Sequence, residues 1–125
     1  MSATRLIEVE LFVTDVERAV TLYRDDIGVA LEGHAHQEGD PVHHHATWGE
    51  WDASDDGFLI FSIYAAGSGE ATRSSFGFTV DHLDAVHQRV EAAGIKVVQP
   101  PTTRPWGRSA TYQDADGNTV SLTQA

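Results

Sequence analysis

Apolar and polar residues alternate from Leu6 to Val13, which predicts a strand with two unlike faces. Ile7, Val9, Leu11 and Val13 lie on one face; Leu6, Glu8, Glu10 and Phe12 lie on the other. The pattern then changes period. Asp15 suits an N-cap, Val16, Ala19, Val20, Tyr23 and Ile27 follow helical spacing, and Gly28 suits the left-handed position that closes a helix. The apolar strand face is expected to pack under this helix. Two carboxylates are thereby left on the face turned to water, a ligand or a metal. The same order recurs from Phe76 to Gly94, with Phe12 matching Phe78, Asp15 matching Asp81 and Gly28 matching Gly94, a constant offset of 66 (94 − 28). This self-similarity predicts a duplicated unit in which Asp81 caps the second helix.

Further strands are expected at Val29–His36, Val42–Trp51 and Phe58–Tyr64, separated by turn chemistry at 38–41 and at 53–57. Ala65–Thr72 is small and polar, and reads as a linker. After the second helix come strands at Ile95–Gln99, broken by Pro100 and Pro101, then Arg108–Gln113 and Thr119–Thr123, with turns at 104–107 and 114–118. Each half is therefore βαβββ. The predicted class is α+β, one domain over residues 1–125 with modules at about 4–65 and 72–124.

Composition narrows the function. A chain of 125 residues with 41% hydrophobic content buries one core. It has no Cys, which excludes a disulfide scaffold, a thiolate metal site and a cysteine nucleophile. A formal charge of −11 repels phosphate backbones and argues against nucleic acid as a partner. It would attract a cationic small molecule, but a surface kept soluble by its charge is the favoured reading. No apolar run reaches membrane-spanning length and no secretory signal is visible, so a soluble cytoplasmic protein is expected. No P-loop, dinucleotide fingerprint or nucleophile elbow occurs.

The opening VELFVTDVERAVTLYRDDIG, the central FTVDHLDAVHQRVEAAG and the closing WGRSATYQDADGNTVSL resemble the vicinal oxygen chelate superfamily. That group includes glyoxalase I, bleomycin-resistance proteins, fosfomycin-resistance proteins and extradiol dioxygenases. The resemblance implies paired βαβββ modules curled into an open, cup-shaped sheet. It also implies a homodimer, often with modules paired across chains. In metal-using relatives four cup-facing positions supply ligands, and by motif these fall on Glu8, Phe61, Ser75 and Ser121. Only Glu8 among them is a competent ligand for a divalent cation. No cofactor is expected at the family's usual position, and a divalent metal is the alternative.

Glu8 is the candidate general base, and Glu8 and Glu10 are candidate cation-binding carboxylates. Trp48, Trp51, Phe61, Tyr64 and Trp106 are candidates for an aromatic pocket wall, with core packing the ordinary alternative for Phe61 and Tyr64. Arg108 is a candidate for a ligand carboxylate or phosphate, or for a surface ion pair. His43 and His45 share a strand face, and His34 and His36 have the same spacing on the preceding strand. A pocket wall that includes His45 is favoured over a relocated metal site. The expected function is sequestration of a small molecule, with Glu8, Glu10, His45, Trp48, Phe61, Trp106 and Arg108 as its contacts. The alternatives are an enzyme of the same superfamily, metal-independent or with a shifted His/Glu site, and a partner protein whose cup is filled by its own side chains.

Overall fold

The computed structural model describes residues 4–35, 37–39, 41–50 and 57–125. His36, Trp51 and most of the turn predicted at 53–57 lie outside the described residues, as does Asp40 in the turn predicted at 38–41. Strand β1 (Glu8–Val13) buries Leu11 and Val13 and exposes Glu8 and Glu10, as the alternation requires. The Asp15 carboxylate accepts the Arg18 N–H at 3.1 Å and starts helix α1 (Val16–Val20), which runs on as a π-helical segment, Thr21–Ile27. Gly28 closes it at φ 100°, a left-handed conformation that costs glycine little.

Strands β2 (Glu32–His34), β3 (His43–Trp48) and β4 (Leu59–Ala65) complete a first sheet of order β1-β4-β3-β2, with β1 and β4 parallel. The second half repeats this layout. It contains β5 (Ser75–Val80), α2 (Leu83–Ala92), β6 (Lys96–Arg104), β7 (Gly107–Gln113) and β8 (Thr119–Gln124), in a sheet of order β5-β8-β7-β6. Two βαβββ units are present.

The duplication is not gapless. Helices start at Val16 and Leu83, an offset of 67 (83 − 16), and β1 and β5 end at Val13 and Val80, again 67 (80 − 13). The closing glycines are offset by 66 (94 − 28). Module one's helix thus carries one extra residue, and the π-helical segment absorbs it. The same offset moves the second cap. His82, not Asp81, is the N-cap of α2, and it makes no side-chain cap bond. Gln124 from β8 does that work: its Oε1 accepts the Leu83 N–H at 2.8 Å and its Nε2 donates to the Asp81 carbonyl.

Pro100 and Pro101 do not break the third module-two strand; β6 runs through both to Arg104. β6 is the edge of its sheet, and its register against β7 shifts between Val97 and Gln99 and between Gln99 and Thr102. Prolines are tolerated at such edges because no ladder bond is needed from them.

The helix-bearing faces of both sheets meet in one core. Phe61 of β4 lies 5.5 Å from Phe76 and 5.3 Å from Phe78 of β5, ring centre to ring centre. Leu11, Val13, Ala46 and Ile63 join Leu83, Val90, Ala110, Tyr112, Val120 and Leu122 in the same cluster. Both helix-free faces therefore point away from the shared core. No helix among the described residues is long and apolar enough to cross a membrane.

Candidate functional site on the helix-free sheet faces

Cross-strand register assigns each side chain of the first sheet to a face. One row across the helix-free face is Phe12, Tyr64, His43 and His34. The next row is Glu10, Ser62, His45 and Glu32, and a third begins Glu8, Ile60 and Thr47. In the first row the rings are in contact. Phe12 stacks on Tyr64 at 5.4 Å and 20°, Tyr64 stacks on His43 at 4.9 Å and 16°, and His34 meets His43 edge-on at 5.4 Å. His43 is 8% exposed, so the platform this run opens to a flat or cationic molecule is Phe12, Tyr64 and His34.

The carboxylates border this platform. Glu8 and Glu10 hydrogen-bond each other, and that bond, burial and Glu8's charge together hold the Glu10 carboxyl above the ordinary glutamate range. A cation arriving there favours the ionised form of Glu10.

The second sheet presents a different surface. Ser75, Gly77 and Thr79 of β5 lie opposite Thr119, Ser121 and Thr123 of β8, with Ser109, Thr111 and Gln113 of β7 beyond them. This face is rich in hydroxyls, and the same register adds the charged Lys96 of β6 at its edge, opposite Gln113.

The family's four cup-facing positions can now be placed by register. Glu8 corresponds to Ser75, by the 67-residue offset that aligns β1 with β5 (75 − 8). Gly77 pairs with Ser121, and its counterpart Glu10 (77 − 10 = 67) pairs with Ser62. Ser62, not Phe61, is therefore the fourth position. The Asp-Gly dipeptides misplaced it by one residue because they are offset by 60 (117 − 57), whereas the register of the strands that follow is offset by 59 (121 − 62). The donor set becomes Glu8, Ser62, Ser75 and Ser121. Three neutral hydroxyls do not fit a divalent metal that needs several anionic or imidazole ligands.

The remaining candidates do not join Glu8, Glu10 and His45. Phe61 is 2% exposed and packs with Val9 on the core side. Trp48 points the same way, 6.2 Å from Phe78. With Val9, Leu59, Phe61, Phe76 and Phe78 it lines an apolar cavity of about 210 Å³ between the sheets. Trp106 is 77% exposed on the β6–β7 turn, with the Arg104 guanidinium 5.8 Å from its ring. Arg108 is on the helix side of β7, where its guanidinium donates to Asp84 at 2.8 Å and to Thr103 at 3.1 Å. His44 also faces the helices, where burial, then the charge of Arg24, then that of His45, lower its pKa.

Phe12 and Glu32 belong to the helix-free face and were not singled out from the sequence. Phe12's alternation with Glu8 and Glu10 carried the signal; Glu32 is placed there only by its pairing with His45.

The chain matches the model of the Glyoxalase/Bleomycin resistance protein/Dioxygenase superfamily over residues 5–122, and it belongs to that family. No curated protein sequence matches it. Among solved structures it is similar to TioX from Micromonospora sp. ML1, at 24% identity over 97% of this chain and 98% of that one, TM-score 0.66. It is similar to TnmS3, an antibiotic binding protein from Streptomyces sp. CB03234, at 24% identity over 99% and 98%, TM-score 0.62. It is also similar to a lactoylglutathione lyase from Agrobacterium tumefaciens, at 20% identity over 100% and 96%, TM-score 0.62. At these identities the likeness establishes the fold, and binders and enzymes share it.

Proposed function

We propose that this protein binds a planar, cationic small molecule and sequesters it without turnover. The observation that carries this reading is the stacked row Phe12–Tyr64–His43 bordered by Glu8 and Glu10 on a face with no helix over it. Aromatic faces attract a flat cation, the carboxylates neutralise it, and the chain's charge of −11 concentrates it nearby. The antibiotic-binding description of TnmS3 agrees with this reading. The donor set Glu8, Ser62, Ser75 and Ser121 favours a site that works without the family's usual metal.

A homodimer completes the site in this proposal. The two helix-free faces of one chain point apart, so one chain cannot close a ligand between them. Pairing module one with module two of a second copy sets the aromatic and acidic face against the hydroxyl-rich face. A soluble cytoplasmic location suits such a binder.

Calorimetric titration with a panel of planar organic cations tests the reading. One ligand per site is expected, with affinity reduced at least about tenfold by Tyr64→Ala, the loss of one stacking and cation–π contact in a desolvated site. Failure of every planar cation to bind would remove it.

The pH dependence has a definite sign. A bound cation favours ionised Glu10, so affinity is expected to rise with pH and to fall as pH drops through the raised Glu10 pKa. Proton release, measured by titrating in buffers of different ionisation enthalpy, should disappear in Glu10→Gln.

The raised pKa of Glu10, with Glu8 beside it, also supports a second reading, general acid–base catalysis on a bound carbonyl compound. Turnover abolished by both Glu8→Gln and Glu10→Gln would establish it in place of sequestration.

A further inference from the structure

We propose that His34, His43 and His45, with Glu32, form a binding site for a first-row divalent transition-metal ion on the helix-free face of β2 and β3. The backbone register builds the block. His34 lies directly opposite His43, and Glu32 directly opposite His45. His43 and His45 are two residues apart on β3, so all four side chains leave the same face.

The three imidazoles are already neighbours. Ring centres are 5.4 Å apart for His34 and His43, 5.8 Å for His34 and His45, and 5.6 Å for His43 and His45. Three imidazoles on one tetrahedral ion, with metal–nitrogen bonds of about 2.0–2.1 Å, place their ring centres roughly 5 Å apart. Side-chain rotation must bring one nitrogen of each ring onto the ion. Among the described residues no three His, Cys, Asp or Glu groups are already converged as a ligand set, so binding requires this rotation.

The donor chemistry selects the ion. Three imidazoles and one carboxylate suit zinc, copper or nickel; calcium and magnesium prefer all-oxygen shells. The site is separate from the family's position at Glu8, which lies on β1 at the opposite edge of the same sheet. It does not depend on the ligand proposed above.

The test uses the untagged full chain, titrated with zinc by calorimetry and with cobalt(II) by absorption spectroscopy. One ion per chain is expected, with cobalt bands typical of imidazole ligation. His34→Asn and His45→Ala should each weaken zinc at least about tenfold, since even losing a group behind a ligand costs about 10- to 100-fold. Both positions reach solvent, and circular dichroism verifies that the variants fold. Glu8→Gln should leave the affinity unchanged. Absence of saturable binding at one ion per chain would overturn the assignment. So would binding that survives in the His34→Asn/His45→Ala double variant, or that Glu8→Gln abolishes.

Discussion

Asp114→Ala is expected to destabilise the protein by about 3–4 kcal/mol, a loss at the upper end of what single substitutions cause. The Asp114 carboxylate accepts four hydrogen bonds. Its Oδ1 takes the Asp116 N–H at 3.0 Å and the Asn118 N–H at 2.8 Å; its Oδ2 takes the Tyr23 hydroxyl at 2.7 Å and the Asn118 side-chain amide at 2.9 Å. Tyr23 and Asn118 are fully buried, so alanine would strand donors that water cannot reach. The network also joins the two modules. Tyr23 comes from the first helix and Asp114 from the β7–β8 turn, and Asp116 in the same turn accepts the Thr14 hydroxyl at 2.6 Å. Urea unfolding followed by fluorescence measures the loss. Tyr23→Phe removes one of the four bonds and should cost about 1.5–3 kcal/mol, the range for a bond to a charged group. The double variant should fall short of the sum, because both act on one network.

The same tyrosine gives the fold an alkaline limit. Burial first, then the charge of Asp114, push the Tyr23 hydroxyl far above the ordinary tyrosine range, and burial with Glu91 and Asp84 pushes Tyr112 up to about 12. A raised folded-state pKa contributes stability that is whole below the unfolded value, about 10 for tyrosine, and is lost as pH rises beyond it. Stability is therefore expected to decline above that pH. Tyr23→Phe should flatten the decline even though it lowers stability at neutral pH.

The sequence revealed the periods well and the single-residue offsets poorly. Alternation from Ile7 to Val13 assigned β1's faces correctly, because one side of that strand is fully buried and a slip would expose all of it. Gly28 marked the helix end because only glycine takes φ 100° at little cost. The Asp15–Asp81 match failed at the second cap because a helix can absorb one extra residue as π-helical turns, a change that leaves the apolar pattern almost intact. Pro100 and Pro101 misled because their effect depends on whether a strand is central or at an edge, which only the sheet order decides. The site suffered most. A one-residue error after an Asp-Gly dipeptide moves a side chain through the sheet, and it exchanged Ser62 for Phe61. The platform itself was harder to read, since Phe12, Tyr64, His43 and His34 come from four strands and meet only through register.

That exchange leads to the second large effect, a contrast between two aromatic residues on neighbouring layers of β4. Phe61 touches the rings of Tyr23, Phe76 and Phe78 inside the core, so Phe61→Ala is expected to cost about 3–5 kcal/mol of stability. Tyr64 is half-buried on the opposite face and stacks on Phe12 and His43. Tyr64→Ala removes contacts of about 0.5–1.5 kcal/mol each and leaves no closed cavity, so its cost to folding should be the smaller. Ligand affinity should reverse the order. Tyr64→Ala weakens a planar cation strongly, whereas the milder Phe61→Leu, which keeps the core filled, leaves it unchanged. Urea midpoints and calorimetric titration on the same preparations separate the two outcomes. If Phe61→Leu weakened the ligand while Tyr64→Ala did not, the compound would occupy the cavity of about 210 Å³ beside Trp48, and the aromatic row would be a surface without cargo.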